Sequence, residues 1–101
     1  MAKGYWIARV DVSDPDAYKA YVAANAAAFK KFGARFLVRG GQLENPEGTS
    51  RNRNVVLEFA SYQSALDCYK SPEYTAAIAL RVNASVCDLV IIEGYDGAQP
   101  A

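Results

Sequence analysis

The chain has 101 residues, in which 11 Lys and Arg balance 11 Asp and Glu; 51% of residues are hydrophobic, two are Cys and none is His. A chain this short buries only about two thirds of its unfolded surface, so the expectation is one domain over residues 1–101 that gains from further burial in an oligomer. Zero net charge gives no long-range pull towards nucleic acid or a membrane surface, and the missing His excludes Ser-His-Asp and Cys-His nucleophile systems and two-His metal sites.

The amino terminus, Met1 to Val12, lacks the apolar core and small-residue cleavage site of a signal peptide, and the apolar runs elsewhere are strand-sized, so the expected location is the cytoplasm. Residues 5–12 (YWIARVDV) alternate as a half-buried strand. Ser13-Asp14-Pro15-Asp16 then reads as a helix start, with an Asp cap, Pro in the first turn and an acid behind it. The helix runs to Phe32 and stops at Gly33. Residues 35–39 (RFLVR) form a second strand, closed by Gly40-Gly41.

Residues 42–52 are polar and rich in turn formers, which predicts a loop longer than a tight hairpin needs. Residues 53–59 (RNVVLEF) are a third strand. Ser61 caps a helix with Tyr62, Ala65, Leu66 and Tyr69 inward, and Ser71-Pro72 breaks it and starts another, with Tyr74, Ala77, Ile78 and Arg81 on one face. Residues 86–95 (VCDLVIIEGY) are the last strand, and residues 95–101 give a tail expected to fray.

This order predicts an α+β, ferredoxin-like βαββαβ fold: a four-stranded antiparallel sheet with its helices on one face. Alternation assigns Trp6, Ala8, Val10, Phe36, Val38, Val55, Leu57 and Phe59 to the helix-covered face. Tyr5, Ile7, Arg9, Leu37, Arg39, Asn54, Val56 and Glu58 fall on the other, and the last strand is apolar on both. The second face is too apolar for water and too charged for a dry core, which predicts a two-fold homodimer with a second sheet packed across it.

The segments GYWIARVDV, FLVRGG and NVVLEF followed by Ala60 and SY, then AL with YKSPEY, and the closing IIEGYDG resemble a bacterial family catalogued as domain of unknown function 1330. The likeness covers nearly the whole chain. It implies the dimeric α+β barrel superfamily, two ferredoxin-like protomers with facing sheets, and carries over no activity. More distant relatives include cofactor-free and haem-degrading monooxygenases, small isomerases and stress-induced barrel proteins; the haem-degrading ones use an axial His that this chain lacks.

The candidate site residues follow from the pattern. Asn25 lies at the centre of the apolar arc of the first helix formed by Tyr18, Tyr21, Val22, Ala28, Phe29 and Phe32, so it points at the sheet. There it either bonds a Tyr hydroxyl or a backbone group, or lines a pocket that the surrounding alanines leave open. Tyr18 and Tyr74 on the inward stripes are core aromatics or phenols that orient a ligand. Arg81, on the face of Tyr74, snorkels to solvent or closes a carboxylate pocket. Arg9, Arg39 and Glu58 form either a cross-strand ion-pair ladder or an anion site in which Glu58 acts as base. Cys68 and Cys87 read as small buried hydrophobes in the reduced state, and no spacing suggests a metal or a phosphate loop.

Three readings stay open. The first is an enzyme without a cofactor, of oxygenase or isomerase type, acting on a small organic acid or aromatic, with Asn25, Tyr18 or Glu58 catalytic and Arg39, Tyr74 or Arg81 binding. The others are a non-catalytic module for a small anionic or aromatic metabolite, and a structural dimer with no cavity and a fully bonded Asn25.

Overall fold

A computed structural model describes residues 2–100. The elements are β1 (Gly4–Val12), α1 (Pro15–Phe32), β2 (Arg35–Arg39), β3 (Arg53–Phe59), α2 (Tyr62–Lys70), α3 (Pro72–Arg81) and β4 (Ser85–Glu93). The strands form one antiparallel sheet in the order β2-β3-β1-β4, with the helices on one face. This is the ferredoxin-like arrangement, with its second helical crossover split into α2 and α3.

The helix boundaries lie where capping chemistry puts them. The Asp14 carboxylate accepts from the Ala17 amide, Pro15 opens α1, and Gly33 ends it at φ 69°, a left-handed conformation that costs glycine nothing. Ser61 accepts from the Ser64 amide to start α2. Ser71 accepts from the Tyr74 amide to start α3 while donating to the Cys68 carbonyl, so one hydroxyl both closes α2 and opens α3. On α2 the inward residues are Ala65 and Cys68, each 0% exposed, whereas Tyr62 and Tyr69 sit at the rim. The stripe is rotated from the expected one because Trp6 lies beneath α2. Its indole N–H donates to the Ala65 carbonyl at 2.9 Å, and only small residues let the helix come that close.

Trp6 is the centre of the core. Its ring meets Phe29, Phe59, Tyr69 and Tyr74 at centroid distances of 4.8–5.8 Å, mostly edge to face, the geometry ring quadrupoles favour. At the start of β1 the fit is closest: a Cβ on Gly4 would stand 2.4 Å from the Ser61 carbonyl oxygen, so only glycine lets β1 pass under the start of α2.

The register corrects two assignments. Phe36 pairs with Leu57, but the next pair is Val38 with Val56, so β2 uses three residues where β3 uses two. This bulge inverts the alternation that follows it. Val38, expected under the helices, is exposed on the outer face beside Leu37; Arg39, expected on the outer face, pairs with Val55 and turns towards the helices. The register also settles β4, where Cys87, Leu89 and Ile91 pack against the core and Val90 and Ile92 face out.

Candidate functional site

A pocket opens between the helix layer and the sheet, with a cavity volume of about 40 Å³. Its floor is sheet: Trp6, Ala8 and Val10 from β1, Val55 and Leu57 from β3, Leu89 from β4. Its roof is α1, through Tyr18, Tyr21, Val22, Asn25 and Phe29, and α3 through Tyr74 and Arg81. Five of the six candidate residues meet here: Asn25, Tyr18, Arg39, Tyr74 and Arg81.

Asn25 is buried at 6% exposure and lines the pocket. The two hydroxyls nearest in role are already engaged, since Tyr21 and Tyr74 hydrogen-bond one another at 2.7 Å. A carboxamide at the wall of a cavity can offer donors and an acceptor to a polar partner there.

Burial raises the pKa of Tyr74, with the Tyr21 hydroxyl adding to the effect, and burial also raises that of Tyr18. Both phenols therefore stay protonated at neutral pH and act as hydrogen-bond donors, not bases. Cys87, at the same end of the pocket, has its thiol pushed up by burial against the opposing pull of Arg81, so it is a neutral thiol at neutral pH.

Three guanidiniums complete the site. Arg39 stacks over Phe36 with its guanidinium carbon 4.2 Å from the ring centroid; Arg53 lies over Tyr18 at 5.8 Å and Arg81 over Tyr21 at 5.3 Å. Among the described residues no Asp or Glu lines the pocket. Arg53 did not stand out in the sequence, although the alternation carries it: Arg53, Val55, Leu57 and Phe59 share one face. Arg39 was legible as a cation but not as a pocket residue, because no local sequence signal marks the bulge.

Glu58 stands apart. It lies on the outer face, opposite Tyr5 and Arg35, accepting from the Tyr5 hydroxyl at 3.1 Å and pairing with Lys3 at 3.3 Å. The Lys3 hydrogen bond, outweighing desolvation, holds its carboxyl below the ordinary range. Arg9 pairs instead with Asn54 and Asp88, so Arg9, Arg39 and Glu58 do not converge: the bulge sends Arg39 through the sheet, and Glu58, an ionised carboxylate held by a lysine, is no base for this pocket. The 42–52 segment forms no helix or strand, and its end is tied down by Arg51, which bridges Asp11 at 2.9 Å and Asp88 at 2.8 Å. Among the described residues no cluster of His, Cys, Asp and Glu is arranged to hold a metal, and no helix is long and apolar enough to cross a membrane.

The family described as "Domain of unknown function (DUF1330)" matches residues 3–95. No curated protein matches the chain. Among solved structures, a protein of unknown function from Rhodopseudomonas palustris superposes with a TM-score of 0.69 at 19% identity, covering 95% of this chain and 85% of that one. SnoaB, a cofactor-independent oxygenase from Streptomyces nogalater, superposes with a TM-score of 0.63 at 14% identity over 99% and 97% of the two chains. A dimeric ferredoxin-like protein of unknown function from Thermobifida fusca gives 0.57 at 15% identity over 90% and 92%. At these identities the likeness is one of fold.

Proposed function

Because the chain belongs to the DUF1330 family, which carries no assigned activity, we propose its function from its own pocket: an enzyme that uses no cofactor and acts on a small aromatic or other organic acid. The observation that carries this reading is the buried Asn25 at the wall of a cavity lined by aromatic rings and arginines. The pocket supplies donors and positive charge and, among the described residues, no base. That suits a substrate acidic enough to enter as an enolate or phenolate, whose oxyanion takes hydrogen bonds from Asn25 and from the protonated Tyr18 or Tyr74. Arg39 and Arg81 hold the acid group, and the apolar floor lies against the ring or chain. An electron-rich anion held this way either tautomerises or reacts with dioxygen as its own reductant, which are the isomerase and oxygenase forms of one activity. The fold likeness to a cofactor-independent oxygenase favours the second.

We further infer a homodimer. The outer sheet face carries a cross-strand row of Val38, Val56, Ile7 and Val90, with Leu37 and Ile92 adjoining, and five of these six are large exposed hydrophobics. The dimeric relative from Thermobifida fusca supports the same arrangement. Light scattering is expected to give twice the 11.0 kDa chain mass, and an Ile7→Lys variant to give the monomer.

The enzymatic reading is tested by screening small aromatic acids and β-keto acids for turnover and oxygen uptake in metal-free buffer. Asn25→Ala is expected to lower kcat by about 10²-fold, the usual effect of losing one oxyanion donor. Binding without turnover across the screen would leave a metabolite-binding module in its place.

A further inference from the structure

The proposed function asks only for one acid group; the charge of the pocket asks for more. Three side-chain atoms are buried without a hydrogen-bond partner among the described residues, and two of them, Arg53 Nε and Arg81 Nε, belong to this pocket. Buried polar atoms are normally satisfied, and a buried cation costs far more than a neutral donor when left alone. Neither arginine, nor Arg39, forms an ion pair with any described residue, although the chain has as many acids as bases.

Register shows how the two are placed. Val10 of β1 pairs with Arg53 on one side and Cys87 on the other, so those two flank the same point of the pocket floor, roughly 10 Å apart across two strand spacings. Arg81 reaches the Cys87 side from the last turn of α3. Above the floor, Tyr18 and Tyr21 have ring centroids 5.3 Å apart, and each takes one guanidinium over its face: Arg53 over Tyr18, Arg81 over Tyr21. The ring beneath each guanidinium cannot accept from its Nε–H, which is left without a partner in both arginines. Arg39, more exposed, stands on the Arg53 side, since it follows Phe36 on β2 and pairs with Val55, two residues along from Arg53.

We propose that this pocket is built for a dianion, a small organic molecule whose two negative charges are divided between Arg53, with Arg39 beside it, and Arg81 on the opposite side of Val10. The inference rests on the pocket being the ligand site of the proposed function, and it narrows the ligand class from organic acid to dianionic acid. Two carboxylates, or one phosphate ester, present this chemistry. Either would answer the two orphaned Nε groups and offset two of three positive charges, which a monocarboxylate does not.

Isothermal titration of the protein with benzoate, isophthalate and phenyl phosphate separates the cases. Isophthalate or phenyl phosphate is expected to bind about tenfold or more tightly than benzoate, and which of them leads tells whether carboxylates or a phosphate ester are preferred. Arg53→Gln and Arg81→Gln are each expected to weaken the dianions more than benzoate and so erase that preference, and Arg53→Lys, which keeps the charge but not the fork, to restore it only in part. Equal affinities for the three probes, no binding of any of them, or a preference unchanged in both Gln variants would overturn the dianion clamp. If a variant fails to fold, the ratio measured on the wild-type protein decides alone. Dianion-selective binding without turnover would sink the enzymatic reading and leave the clamp standing; turnover of monoanions without dianion preference would do the reverse.

Discussion

The hydroxyl pair of Tyr21 and Tyr74 offers a sharp test of how the pocket wall is held together. The two oxygens lie 2.7 Å apart, their residues are 7% and 2% exposed, and their rings meet edge to face at 6.2 Å. Changing either residue to Phe removes one hydroxyl and strands the other, at a cost of about 1–2 kcal/mol for a buried unsatisfied group. Removing both leaves no orphan, so the double variant is expected to lose less than the sum of the singles, with a coupling of about 1 kcal/mol. For a domain of this size each kcal/mol moves Tm by roughly 4–8 °C, which calorimetry resolves easily. Urea unfolding followed by circular dichroism gives the same cycle as free energies. Single variants that are each neutral, or losses that simply add, would refute the view that these phenols satisfy one another.

Other consequences are equally accessible. Gly4→Ala places a Cβ against the Ser61 carbonyl and the Tyr62 Cα, both backbone atoms that cannot swing away, and should cost about 1–3 kcal/mol in urea unfolding; a neutral result would mean that α2 docks on β1 less closely than described. Asp11 accepts from the Asn52 amide and from Arg51, in that order of effect, which holds its carboxyl below the ordinary 3.8. Its stabilising contribution is therefore complete above 3.8 and is lost as pH falls through the lower folded value. Asp11→Asn is expected to flatten that part of the urea midpoint against pH, and an unchanged profile would contradict it. Cys68 is 0% exposed with its thiol pushed up to about 12 by burial, while Cys87 is partly exposed at the pocket; iodoacetamide should modify Cys87 first, and a bound ligand should slow it. Prior labelling of Cys68, or no protection by a ligand of measured affinity, would argue against that geometry.

Much of the architecture was legible from local chemistry. Asp14, Ser61 and Ser71 each cap the helix that their sequence context announces, and Gly33 ends α1, because capping involves atoms only a few residues apart. Alternation in β1 and β3 marked the face that Trp6, Val10, Val55, Leu57 and Phe59 bury. The same helical arithmetic put Tyr18 and Asn25 on the buried arc of α1 and Tyr74 and Arg81 on one face of α3, and these four of the six candidate residues lie around one cavity.

The rest was decided by pairing between distant segments. An extra residue in β2 has no local signature, since it exists only relative to the register of β3; it carried Val38 to the outer face and Arg39 to the helix side, away from Glu58. The two-sided apolar run of β4 became readable only when Val10 found Cys87 as its partner. Even charge changed meaning in three dimensions. The balance of 11 against 11 is a property of the whole chain, but folding sends Glu58, Asp11 and Asp88 to Lys3 and Arg51, and leaves Arg39, Arg53 and Arg81 around the cavity with no acid among them. Composition determines how many charges there are; only the register of strands and the docking of helices determines which of them meet.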